Sequence, residues 1–382
     1  MATNDSGPAR RRIVALDGLR AISILFVIID HLFINRYGTP PYLDYPSIPL
    51  TLSAWGVELF FVISGFIITK LALIEQQASG NFSIGSFYIR RLFRIGPPFY
   101  IYLGTILLLA GAGLITEPLS SIVQAATFTC NVPDSECQWF TRHAWSLAYE
   151  EQFYLVFPII FYFMGRKFRK IIVYLTIAFL LYPTVQNLFH LNGFWHPAGL
   201  LAQKFSFICV GALLATHENI FRRLATGRHA PVIWWGVALF LAVFLFLNSS
   251  FYLPLQAKWT YRLGLVILPF CFAWIVGHAA RETGIVARLL GNPILQFIGT
   301  ISYSLYIWQQ LFTGAWVHYS VNSWLLSFPM MFVLATLSYY GVERPFIKLG
   351  RRIINVGIGA RRLALPVTAP PERQTLGALE NR

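Results

Sequence analysis

SAWGVELFFVISGFIITKLALI, residues 53–74, runs for 22 residues with only two charges, Glu58 and Lys70. At about 1.5 Å per residue a helix of that length reaches about 33 Å, enough to cross the roughly 30 Å hydrocarbon core of a bilayer. Comparable apolar stretches lie on both sides of it, over 13–34, 97–116, 146–164, 171–188, 199–216, 231–247, 262–278, 297–316 and 325–343. The chain therefore reads as an all-α, polytopic integral membrane helix bundle of about ten transmembrane helices.

Composition supports that reading. Of 382 residues, 56% are hydrophobic and 12% charged, whereas a soluble domain carries about 25% charged residues. The aromatic share of 16% suits helices with Trp and Tyr anchors at the membrane interfaces. The spans occupy most of the length, so one membrane domain is expected over 13–346, with a short N-terminal segment, 1–12, before it. The Pro- and Arg-rich segment 347–382 is expected to be a disordered basic tail. No internal repeat, heptad run or zinc-type Cys/His spacing is evident. Arg10-Arg11-Arg12 before an apolar run resembles a signal peptide, but 13–34 is too long for an h-region and no small-x-small site follows, so it reads as an uncleaved first helix.

The net charge of +14 does not mark a nucleic-acid face. The basic residues fall in alternate segments: Arg10 to Arg12, Arg90 to Arg94, Arg166 to Lys170, Arg222 to Arg228, Arg281 with Arg288, and the tail. Opposite them stand only Arg36, Arg142, Lys258 and Arg262. This positive-inside pattern places both termini in the cytoplasm. The longest outer loop, 117–144, holds Cys130 and Cys137, for which a disulfide is expected in an oxidising compartment, two free thiols being the alternative.

Ionisable residues within spans are costly and default to functional candidates. Arg20 and His31 stand eleven residues apart on the first span. That spacing is about three helical turns, so both share one face, separated by about 16 Å of rise. Arg20 falls near the cytoplasmic interface and His31 in the outer half. Arg91 and Arg94 also share a helical face, and two adjacent guanidinium forks suit a phosphate or pyrophosphate; ordinary positive-inside charge is the competing explanation. Glu150 enters the fourth span about one turn below Ser146, a depth similar to that of His31. The pair could then work as general acid and base, with the carboxylate fixing the tautomer or holding substrate. Alternatively, Glu150 and Glu151 complement the helix N-terminus.

Several motifs in order resemble the membrane-bound acyltransferase-3 family: Leu16-Asp17-Gly18-Leu19-Arg20-Ala21 with His31; Gly56 to Phe66; Phe87-Tyr88-Ile89-Arg90-Arg91; Trp145-Ser146-Leu147 with Glu150-Gln152-Phe153-Tyr154; Ile301 to Trp308; and Glu343-Arg344-Pro345. The resemblance implies transfer of an acyl group, usually acetyl, from cytoplasmic acyl-CoA to a hydroxyl, most often on an extracytoplasmic carbohydrate or glycolipid, in a bacterial cytoplasmic membrane. It implies Arg20, Arg91 and Arg94 as the acyl-CoA site and His31 with Glu150 as catalytic residues. Trp145, Ser146 and Tyr303 are implied as substrate contacts. Acyl-CoA is then a donor substrate; no permanent cofactor or metal is expected. The family often has Asp where this chain has Glu58, and commonly has His where this chain has Gln309, so no second-histidine role is expected at that position. No SGNH-hydrolase-like stretch follows the tenth span, and acyl handoff to one inside this chain is not expected. The rival readings are a small-molecule acyltransferase, a transporter using the same buried ions, and a non-catalytic binding protein.

Overall fold

The computed structural model describes residues 13–37, 52–188, 196–249, 254–314 and 321–364. Among them the chain is helical, without a strand: α1 (Val14–Tyr37), α2 (Leu52–Ser79), α3 (Ile84–Gly111), α4 (Leu119–Ala126), α5 (Trp139–Arg142), α6 (Ala144–Met164), α7 (Phe168–Leu188), α8 (His196–Thr216), α9 (Glu218–Thr226), α10 (Ala230–Ser249), α11 (Pro254–Ala280), α12 (Gly284–Leu290), α13 (Pro293–Thr300), α14 (Ser302–Thr313), α15 (Val321–Ser338) and α16 (Arg344–Ala364). The N-terminal segment 1–12, residues 315–316 of the ninth span, His190, His318 and the tail from 365 lie outside the described residues.

Each expected span contains helix, but the bounds differ. By length and composition, four described helical stretches are apolar enough to cross a membrane, or five if α9 and α10, bent by 99°, make one span. One of the four, Trp139–Gln186, runs for 48 residues, about twice one crossing, and breaks at Gly165, where φ is +47°. α3 begins thirteen residues before the expected span because Ser83 caps it, accepting from the Ser86 backbone N–H at 3.2 Å. It then continues through Pro97 and Pro98. The Arg90–Arg94 segment thus belongs to the same helix as the span. The ninth span is broken at Ile301 into α13 and α14.

α1 lies at the centre, packed against α2, α11, α12, α13 and α14. Its Ala21, Ile24 and Ile28 are fully buried. α2 in turn lies against α8 with backbones nearly touching: a Cβ on Gly65 would meet the Ile208 carbonyl oxygen at 1.9 Å, and one on Gly211 the Val62 oxygen at 2.1 Å. Small residues at such crossings let helices gain dispersion contact where lipid removes the hydrophobic drive.

Two expectations need correction. The 117–144 segment is not a detached soluble loop. Ser121 and Thr141 are fully buried and both donate to the Glu117 carboxylate. The Tyr102 hydroxyl donates to the Phe140 carbonyl at 2.6 Å. Cys130 and Cys137 form a disulfide within it, with Cα atoms 5.7 Å apart. The second correction concerns 347–364, expected to be part of a disordered tail. It is helical in α16, whose Phe346 and Gly350 pack on Phe93 of α3.

Candidate active site

The Arg20 end of α1 gathers charge from three other elements, α3, α6 and the turn that carries Glu343. Arg20 lies 3.8 Å from Asp17 and interacts electrostatically with Arg94, Glu343 and Glu150. Arg91 stacks on Tyr154, its guanidinium carbon 4.6 Å from the ring centroid, and its charge meets those of Arg94, Glu150 and Glu151. Arg90, one position round the helix, faces away and pairs with Glu75 at 2.7 Å. Among the described residues neither Arg91 nor Arg94 has a carboxylate within 4 Å, so their forks remain available to an anion. Glu343 arrives through the π-helical turn Tyr339–Glu343, is 2% exposed, and accepts from Ser304 at 3.1 Å.

Glu150 belongs to this end, not to His31. Its carboxylate accepts from Ser64 at 2.8 Å, and Tyr154 donates to Ser64 at 3.1 Å. The expectation that Glu150 pairs with His31 fails because the start of α6 is itself buried in the bundle. The segment before it folds inward, so His143 and Ala144 are already buried at 3% and 0%. Seven residues further, about 10 Å along a helix, Glu150 reaches the arginines.

The His31 end is built from neutral amides. His31 Nδ1 lies 2.9 Å from Gln309 Oε1. Gln309 donates through Nε2 to Gln310 Oε1 at 2.7 Å, and Gln310 donates through Nε2 to the Trp139 carbonyl at 2.8 Å. A carbonyl can only accept, so the direction of the chain is fixed from its far end. Gln310 must present nitrogen to Trp139 and oxygen to Gln309, and Gln309 must present oxygen to His31. Nδ1 therefore carries the proton and Nε2 is left as the basic nitrogen. Thr313 reinforces the arrangement by donating to Gln309 Oε1 at 3.3 Å. The Trp139 ring packs edge-on against His31 at 5.7 Å, and its indole N–H donates to the Gln310 carbonyl at 3.0 Å. Asp30, beside His31, accepts from Ser53 at 2.6 Å.

The three expected substrate contacts separate. Ser146 exchanges a 2.5 Å hydrogen bond with Tyr306 between the two ends. Tyr303 stands at the arginine end, donating to the Ile95 carbonyl at 2.7 Å. Trp145 faces a different group, with Lys204 over its ring at 5.5 Å and Lys204 bound to Glu58 at 2.9 Å. Sequence reasoning passed over Glu343, Gln310 and Trp139. His143, at the start of α6, is buried as well. The only sequence signal for Glu343 and Gln310 was their place in quoted or adjoining motifs.

An open hollow of about 670 Å³ lies beside the disulfide, lined by residues including Glu136, Cys137, Gln138, Trp139 and Arg142. Trp139 is common to this hollow and to the surroundings of His31. No group of three or more metal-ligating side chains occurs among the described residues.

Residues 13–342 match the model of a family described as an acyltransferase domain. A Staphylococcus aureus (strain COL) protein whose name reads "Putative O-acetyltransferase" is 27% identical over 370 residues, which cover 90% of this chain and 59% of that protein. The O-acetyltransferase OatA of Staphylococcus aureus (strain NCTC 8325 / PS 47) is 26% identical over 369 residues, covering 89% of this chain and 58% of OatA. The chain thus spans less than two thirds of the length of these relatives. No solved structure matches it.

Proposed function

The chain belongs to the acyltransferase family whose domain covers residues 13–342, and from that premise we propose that it is a membrane O-acyltransferase using acyl-CoA, with acetyl the first candidate. The acceptor is a hydroxyl of a carbohydrate or glycolipid. The names of the relatives support oxygen as the acceptor atom and acetyl as the group. The observation that carries the reading is the face of α1. Three arginines with anion-binding capacity surround one end, and an imidazole of fixed tautomer stands about 16 Å away, a gap comparable to an extended pantetheine arm.

In this mechanism Arg20, Arg91 and Arg94 hold the CoA phosphates at the cytoplasmic face, and the thioester extends along α1 toward His31. His31 Nε2 removes the proton from the acceptor hydroxyl, which attacks the acyl carbon. The thiolate of CoA leaves and takes that proton back. Gln309, not Glu150, sets the base. Glu150 sits where it balances Arg91 and Arg20. The hollow beside Trp139 suits a hydroxyl-rich acceptor, since it offers an aromatic wall, an amide, a carboxylate and a guanidinium. Both termini lie in the cytoplasm and the membrane is the bacterial cytoplasmic membrane.

The test is acetyl transfer by purified protein in lipid nanodiscs, with acetyl-CoA and a panel of soluble oligosaccharides. CoA thiol release that depends on acceptor, with acetyl found on the sugar by mass spectrometry, is the expected result. Acetyl-CoA that neither binds nor is cleaved under any acceptor contradicts the reading.

A further inference from the structure

His143 stands where α5 ends and α6 begins, 3% exposed, with both ring nitrogens sealed from solvent and without a hydrogen-bond partner among the described residues. Its position at the start of α6 does not explain it, because its side chain makes no capping bond. Two tyrosines hold the ring edge-on, Tyr102 at 5.3 Å and Tyr306 at 5.5 Å between centroids. Its backbone carbonyl accepts from the Tyr306 hydroxyl at 2.9 Å and from the Ser146 backbone N–H at 3.3 Å. The backbone is thus satisfied and the ring orientation fixed, while the imidazole itself bonds to nothing. Leaving a buried donor and acceptor unmade is costly, and such groups in native structures call for a ligand or a functional reason.

The place of the ring indicates which ligand. α14 runs alongside α1, with Gly299 just before its start packed on the Asp17 carbonyl and Gln309 bonded to His31. Tyr306 precedes Gln309 by three residues, about 4.5 Å along the helix, on the side toward the arginines. His143, packed on Tyr306, therefore lies just inside His31 on the route from the arginine cluster. It is near enough for the charges of the two imidazoles to interact. A thioester carbonyl extended along α1 from the arginine end to His31 is brought close to this position.

We propose that His143 donates the hydrogen bond that receives the acyl carbonyl oxygen during transfer. The inference rests on the acyltransferase reading above and adds a residue to it. As the acceptor oxygen bonds to the acyl carbon, the C=O electron pair moves onto the carbonyl oxygen. The His143 ring N–H stabilises that oxyanion. When the pair returns, the C–S bond breaks and the thiolate is protonated by His31. The neutral ring supplies one N–H and is not consumed. Tyr102 and Tyr306 keep the donor fixed before charge develops, which is what makes such donors effective.

The test compares His143→Phe and His143→Gln with the unaltered protein in nanodiscs, using acetyl-CoA as the probe. Phe keeps an aromatic ring between the tyrosines and removes both unpartnered nitrogens. Gln keeps an N–H donor. The Phe variant should melt at or above the temperature of the unaltered protein and bind acetyl-CoA with unchanged Kd. Its kcat should fall by about 10² to 10³, the effect of losing one oxyanion donor. Gln should recover at least tenfold over Phe. A folded Phe variant with more than a third of normal kcat overturns the proposal. So does a folded Gln variant no more active than Phe. If Phe fails to fold, Gln decides alone: activity within about tenfold of normal supports the donor role, and greater loss in a folded Gln variant contradicts it. Failure of the unaltered protein to cleave acetyl-CoA would instead fall on the acyltransferase reading itself.

Discussion

At the Arg20 end of α1, guanidiniums and carboxylates from four elements face one another, largely without direct hydrogen bonds between them. At the His31 end, 11 positions further along the same helix, two neutral amides join the imidazole to a backbone carbonyl in an unbroken chain. The first arrangement supplies charge without spending every donor, which leaves guanidinium N–H groups for an anion. The amide chain supplies direction, because only one orientation of each amide satisfies all the bonds. Glu150 is instructive here. Beside Arg91 its carboxylate offsets positive charge that would otherwise repel itself.

That division can be broken from either end. The largest effect should come from His31→Ala, which removes the proposed base: transfer should fall by about 10² to 10⁴, measured as acetylated acceptor per unit time. Next comes the arginine end. Arg91→Ala or Arg94→Ala should weaken acetyl-CoA binding by about ten- to a hundredfold, the cost of one charge-assisted contact at roughly 1.5 to 3 kcal/mol. Titration calorimetry or ligand-induced fluorescence would read it, and kcat at saturating acetyl-CoA should be retained. Arg→Lys should restore only part of the affinity, because a point charge does not reproduce the planar fork.

Gln309→Leu sharpens the comparison at the histidine end. It strips Nδ1 of its acceptor and lets the imidazole choose either tautomer. Transfer should drop by about tenfold, corresponding to the roughly 1 to 2 kcal/mol of one oriented hydrogen bond, with acetyl-CoA affinity unmoved. An equal loss of affinity would show that Gln309 serves packing rather than the proton. The smallest effect should attend the disulfide. Replacing Cys130 and Cys137 with Ser should lower transfer only modestly, through the nearby Trp139, and thiol reagents should fail to label either cysteine before reduction.

The sequence disclosed what helix periodicity can disclose. Arg20 and His31 share a face because eleven residues return a helix nearly to its starting azimuth, and Arg91 with Arg94 follow the i, i+3 rule. Both relations survive in the fold. Depth was harder to read. Ser146 looks like a helix cap at a membrane surface, yet Glu117, Ser121 and Thr141 form a buried knot that draws the preceding segment inward. That sets Glu150 with the arginines and hides His143. Glu343 stands in a quoted motif but has no site role there, because its contacts come through a π-helical turn, which period 3.6 does not anticipate. Gln309 was visible as a departure from the family's residue, but its role needs Gln310 and the Trp139 carbonyl, 171 positions from Gln310 in the chain.

The central claim is that binding and chemistry occupy opposite ends of α1, and it is tested most directly by acetyl-CoA affinity of the His31→Ala protein in nanodiscs. The account predicts a Kd within about twofold of the unaltered protein alongside lost transfer, since no phosphate-binding group is touched. A Kd weakened as much as in Arg91→Ala would contradict it, because His31 would then hold the donor rather than activate the acceptor.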